Sequence, residues 1–93
     1  LHPEHVKEIA SAVGVPLVLH GASGNTEEDI KACIVAGVAI VHINTELRVL
    51  YRDHLYNFIR SNPGEVAPYK FLTPAVTKMK EYVAGKLKVF AGQ

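Results

Sequence analysis

The chain has 93 residues, enough for one domain with a modest core, and carries 48% hydrophobic residues, 20% charged residues and a formal net charge of +1. This is the composition of a soluble globular chain, and its near-neutral balance excludes a polyanion-binding surface, so neither nucleic acid nor an acidic membrane is an expected partner. No apolar run approaches the roughly 20 residues of a membrane span, no signal-peptide pattern opens the chain, and the single Cys33 forbids an internal disulfide and suits a cytoplasmic setting.

The chain opens Leu-His-Pro and reads as a piece of something longer. Pro3 to Val13 has helical spacing, with Val6, Ile9, Ala10 and Val13 on one face, Pro3 at the first helical position and Gly14 just past the end. Val15-Pro16 forces an extended approach to Leu17-Val18-Leu19. That short apolar run predicts a strand buried on both faces, hence a parallel one. It stops at His20 and gives way to Gly21-Ala22-Ser23-Gly24, small residues whose backbone N–H groups can converge on an anion.

Thr26 is positioned to cap a helix from about Glu27 to Ala36, with Asp29 where a capping-box Glu usually sits. Ile30, Cys33 and Ile34 face inward, and Gly37 stops the helix. Residues 38–43 are rich in β-branched side chains and predict a second buried strand, completing a βαβ unit with a right-handed crossover. Asn44 and Thr45 end that strand, with Thr45 as the cap of a helix from about Glu46 to Arg60 whose stripe is Leu47, Leu50, Tyr51, Leu55, Phe58 and Ile59. Ser61-Asn62-Pro63-Gly64 breaks the chain, and residues 65–72 read as an irregular connection. The last helix starts with Thr73 as cap and Pro74 at the first helical position, and reaches about Phe90, with Val76, Met79, Val83, Leu87 and Phe90 along one side.

Two parallel strands leave unpaired edges on both sides, so the pattern asks for missing strands. The expected class is α/β, with residues 1–93 a single partial domain: βαβα plus a terminal helix, from the C-terminal portion of a (β/α)8 TIM barrel. The two strands would be the seventh and eighth, whose following loops commonly build a phosphate site. The open edges are expected to be buried against the rest of that barrel or against other subunits. Both strand-to-helix switches, after His20 and after Asn44, should lie on one side of the sheet.

Leu-His-Gly-Ala-Ser-Gly at 19–24, then Val-His-Ile-Asn-Thr-Glu-Leu-Arg at 41–48 and the Pro-Tyr-Lys-Phe-Leu segment at 68–72, closely resemble the C-terminal part of the class II, zinc-dependent fructose-bisphosphate and tagatose-bisphosphate aldolases. The resemblance implies reversible cleavage of a ketose 1,6-bisphosphate to dihydroxyacetone phosphate and glyceraldehyde 3-phosphate, in a cytoplasmic homo-oligomer. It makes His20 one of three histidine ligands of Zn2+, a metal that polarises the ketone and stabilises the enediolate formed when the carbon–carbon bond breaks. Gly21, Ser23, Asn44 and Thr45 become the substrate-phosphate residues, Asn44 through its backbone amide, with Gly21 and Ser23 also near a monovalent cation site (Na+ or K+). His42 stands where relatives usually carry an asparagine that contacts the dihydroxyacetone moiety, and Ile40 where they carry lysine.

The remaining zinc histidines and the proton-shuttling acid would lie upstream of Leu1, so the isolated 93 residues are expected to be inactive. Two other readings stay open: a non-catalytic phosphate-binding or assembly fragment, and a tagatose-bisphosphate or other phosphate-binding barrel enzyme. His2, His5 and His54 read as surface or helix-face residues, and Cys33 as packing. Arg48 and Arg52 are placed to pair with Glu46 or Asp53, or to reach a neighbouring subunit.

Overall fold

The computed structural model describes residues 2–92, arranged as α1 (Pro3–Val13), β1 (Leu17–Leu19), α2 (Glu27–Ala36), β2 (Val38–Val41), α3 (Thr45–Ser61), α4 (Pro68–Phe71) and α5 (Thr73–Phe90). Glycine and proline punctuation sets many of these boundaries. The Gly14 N–H closes α1 on the Ala10 carbonyl, and Thr26 Oγ1 accepts the Asp29 N–H at 3.1 Å to cap α2. Gly37 ends α2 at φ 132°, its N–H reaching the Cys33 and Ile34 carbonyls.

Four boundaries differ from the sequence expectation. The second strand ends at Val41 although its pairing continues, because the His42 N–H still donates to the Leu19 carbonyl at 2.8 Å. Residues 65–72 contain a helical turn, α4, which Pro68 starts with its preset φ and which the Lys70 and Phe71 N–H groups close on the Ala67 carbonyl. Neither Thr45 nor Thr73 is a cap: each is the first residue of its helix, and Thr73 instead donates its hydroxyl to the Tyr69 carbonyl.

β1 and β2 form a two-stranded parallel sheet, with Leu17 opposite Val38, Val18 opposite Ile40 and Leu19 opposite Val41. Ala39 is therefore an extra residue on β2, and it moves the alternation of faces by one position. Leu19, Val41 and Ile43 pack under the helices around a core of Ala22, Ile30 and Val89. The other face is open, with Val18 and Ile40 43% and 50% exposed. Burial on both faces, expected from the apolar runs, is thus not met within the chain: helices cover one face only.

α5 packs along α3 and touches α2, while α1 packs on α2. On α5 the deeply buried residues are Ala75 and Val89, whereas Val76, Val83 and Leu87 of the expected stripe are exposed. Ile59 of the α3 stripe is likewise exposed, as are Ile9 and Val13 of α1. The radius of gyration, 17.4 Å, exceeds the roughly 12 Å of a compact chain of this length. Among the described residues the sheet thus keeps an open face and two unpaired strand edges, and the helices keep exposed apolar stripes.

Two substitutions test this packing by urea unfolding. Ile30 is fully buried at the centre of the core, so Ile30→Ala should destabilise by about 2–5 kcal/mol. Gly37 combines positive φ with a position where an added Cβ would lie 2.7 Å from the Ala10 Cβ, so Gly37→Ala should cost more than about 1 kcal/mol and loosen α1 from α2.

Candidate functional site

Backbone bonding carries one step past the end of each strand, from the His42 N–H to the Leu19 carbonyl, and brings the two turns that follow side by side. Leu19 stands opposite Val41, which leaves His20 and His42 as the next residues of the two strands. The Ala22 N–H donates to the His42 carbonyl at 3.3 Å, which fixes the glycine turn against the end of β2. Side chains alternate across a strand. His20 and His42 accordingly share the open face with Val18 and Ile40, and both rings are exposed. Their centroids stand 4.5 Å apart with planes at 88°, an edge-to-face contact.

Beyond the histidines both chains turn into helices. Gly21 and Gly24 adopt φ of 65° and 81°, conformations that glycine takes without the cost borne by other residues, and Asn25 holds the turn through its N–H to the Ala22 carbonyl and its side chain to the Gly21 carbonyl. Ser23 Oγ accepts the Glu46 N–H at 3.3 Å. The cap of α3 therefore comes from the preceding strand's turn and not from Thr45. The hydroxyl hydrogen of Ser23 stays available to a ligand, because a serine oxygen accepts one bond and donates another. Among the described residues the backbone N–H groups of Ser23 and Thr45 have no acceptor, and Asn44 makes no side-chain cap bond. His20, Gly21, Ser23, His42, Asn44 and Thr45 thus lie together at the C-terminal ends of two adjacent parallel strands, as the two strand-to-helix switches predict.

Glu46 is the residue that sequence reasoning missed. Of the arginine pairs that the sequence offers, Arg52 takes Asp53 at 3.7 Å, while Glu46 turns to other partners: its Oε1 accepts the Gly24 N–H at 2.6 Å and its Oε2 accepts the Tyr82 hydroxyl. The Tyr82 hydrogen bond, then that of Gly24, holds the Glu46 carboxyl below its usual pKa, aided by Lys86 and opposed by burial. Burial and the neighbouring Glu46 push the Tyr82 phenol well above its ordinary value, so it stays a hydrogen-bond donor. Lys86 also sits 5.4 Å from the Tyr82 ring centroid. A concavity beside the turn is lined by Ser23, Gly24, Thr45, Glu46 and Tyr82, with His54 of α3 also on its wall. A glutamate in the first turn of a helix is ordinary, and Tyr82 lies 36 residues away, so no local signal marks the pair.

His5 sits 3.5 Å from Glu8 on the surface of α1. Cys33 is fully buried, and burial followed by the Asp29 charge raises its thiol pKa, which makes it packing and not a nucleophile. Among the described residues no three His, Cys, Asp or Glu side chains come together as a metal cluster, and no helix is long and apolar enough to cross a membrane. His20 is an exposed imidazole at a strand end, the kind of side chain that can donate to a metal.

A match to the family described as Fructose-bisphosphate aldolase class-II spans residues 1–93. A protein of Bacillus subtilis (strain 168) named "Probable fructose-bisphosphate aldolase" is 37% identical over 87 residues, 94% of this chain and 30% of that protein. The D-tagatose-1,6-bisphosphate aldolase subunit GatY of Klebsiella oxytoca is 40% identical over 75 residues, 81% of this chain and 26% of that subunit. Among solved structures, the YdjI aldolase from Escherichia coli K12 superposes with a TM-score of 0.78 at 36% identity, covering 97% of this chain and 33% of that one. The chain spans about a third or less of the length of the relatives it matches, and it belongs to the class-II fructose-bisphosphate aldolase family.

Proposed function

We propose that this chain forms strands seven and eight, with their helices, of a (β/α)8 barrel that cleaves a ketose 1,6-bisphosphate reversibly to dihydroxyacetone phosphate and glyceraldehyde 3-phosphate. The observation that carries the reading is the alignment of two strand ends, each a histidine followed three residues later by a hydroxyl residue entering a helix turn. The N–H groups of Ser23 and Thr45, without an acceptor among the described residues, lie at or beside the N-terminus of α3, where a phosphate dianion would be favoured. The open face bearing His20, His42, Val18 and Ile40 becomes the barrel interior, and the helix-covered face its outside.

In this reading His20 supplies one ligand to a zinc ion, and the other ligands come from chain outside these residues. The bound metal supplies Lewis-acid polarisation of the substrate ketone. Gly21, Ser23, Asn44 and Thr45 hold the phosphate, the first two also bordering a Na+ or K+ site. The Ser23 hydroxyl donates to a phosphate oxygen while accepting the Glu46 N–H, so it is oriented before substrate arrives. His42, beside His20, takes the hydrogen-bonding role toward the dihydroxyacetone moiety, with a ring that can donate at one nitrogen and accept at the other.

The complete enzyme implied by this reading separates the roles. His20 acts on charge that develops during reaction, so His20→Ala should lower kcat by at least about a hundredfold and reduce bound zinc by metal analysis. Ser23 holds a phosphate charged equally before and during reaction, so Ser23→Ala should raise KM about tenfold with kcat little changed. Undiminished turnover of the His20 variant after chelation would reject the metal role, and equal kcat losses in both variants would reject the division of labour.

His42→Asn addresses the substrate contact. If the imidazole bonds the dihydroxyacetone moiety, the amide should retain activity on one bisphosphate or shift the preference between the fructose and tagatose epimers. A variant indistinguishable from the parent on both sugars would make His42 a bystander.

A further inference from the structure

The two sides of the phosphate turn are held very differently. On the β2 side it is fixed by the Ala22 N–H to the His42 carbonyl, and within itself by Asn25. At its far end Gly24, at φ 81°, has nothing within 4 Å of where a Cβ would stand and is fixed through its N–H to Glu46 Oε1. Glu46 is itself at the first turn of α3, and its second oxygen accepts the Tyr82 hydroxyl from the middle of α5. A glycine-rich turn without this tie would sample many conformations, and each would place the Ser23 N–H and Oγ differently.

We propose that Glu46 and Tyr82 are a positioning pair for the phosphate turn: Tyr82 locks the Glu46 carboxylate against the Gly24 N–H, and that contact preorganises the donors of Ser23 and Thr45 for a phosphate monoester. The proposal rests on the phosphate reading of the turn. The donor set supports it, because both carboxylate oxygens are engaged by donors that the phosphate does not need. The carboxylate is thereby kept from the Ser23 and Thr45 N–H groups, for which it would otherwise compete as an internal anion. Tyr82 reaches the turn only through Glu46, so its effect belongs to substrate binding and not to the bond-breaking step.

The test is steady-state kinetics of the complete enzyme with inorganic phosphate as a competing probe. Tyr82→Phe keeps the ring and removes the hydroxyl. It should raise KM and the phosphate inhibition constant together, by about three- to tenfold, with kcat within about twofold of the parent. Glu46→Ala should do the same, and the double variant should be no worse than Glu46→Ala alone, since both break one chain of contacts. Glu46→Gln can still accept the Gly24 N–H and meet the Tyr82 hydroxyl, and should recover KM and the phosphate constant toward the parent values. Ser23→Ala serves as the control for the underlying reading. If Ser23→Ala weakens phosphate and Tyr82→Phe does not, the positioning pair is wrong while the phosphate turn stands. If neither variant weakens phosphate, both fall. A Tyr82→Phe protein that melts earlier with unchanged KM, or additive losses in the double variant, would also overturn the pair.

Discussion

Parallel pairing of β1 with β2 is the constraint from which the site follows. A shift of one residue would exchange the faces of every side chain on one strand, sending His42 among the helices and Ile43 to the open side. Two features hold the register. The bond from the His42 N–H to the Leu19 carbonyl and that from the Ala22 N–H to the His42 carbonyl extend pairing beyond the strands themselves. Below, Leu19, Val41 and Ile43 pack against Ile30 of α2 and Val89 of α5, so slippage would expose apolar groups that are now covered. The extra residue Ala39 lies at the beginning of β2, away from the site, and so disturbs the pattern before the alignment of 18 with 40 begins.

The helices do more than cover one face. Ile30 of α2 and Val89 of α5 pack with Ala22, the buried residue of the glycine turn, so the small core sits beneath the turn itself. α5 thus supports the turn twice: from below through Val89 and from the side through Tyr82 and Glu46. The opposite face has no such cover. Val18 and Ile40 stand open beside His20 and His42, which is where apolar walls and a polar mouth would be expected in a closed barrel.

Legibility in the sequence follows the range of the interaction. Helix α1 and helix α2 were readable because proline, threonine and glycine act within a turn of where they stand, and the histidines could be placed because each closes an apolar run. Glu46 was not readable as a tie: its partners, Gly24 and Tyr82, are 22 and 36 residues distant. The cap of α3 failed for the same reason, since Thr45 is the natural local choice and Ser23 supplies the oxygen from across the sheet. Periodicity on α5 correctly marked an apolar stripe but could not say what covers it. Val76, Val83 and Leu87 lie open, whereas the smaller Ala75 is buried where helices approach closely.

A carboxylate next to a turn suited to anions looks self-defeating, yet its placement resolves the conflict. Two helix N-termini and the turn supply more donors than one phosphate can use, and unpaired donors are costly once covered. Glu46 occupies the inner part of that surplus by taking the Gly24 N–H, while its own N–H goes to Ser23. Its negative charge is balanced by the dipole of α3, by the Tyr82 hydroxyl and by Lys86, and its lowered pKa keeps it ionised throughout the neutral range. The donors of Ser23 and Thr45 are then left with no internal competitor from Glu46. On the proposed reading, charge on Glu46 is the means by which the chain would divide one anion-favouring region into a part satisfied by its own fold and a part left for a phosphate.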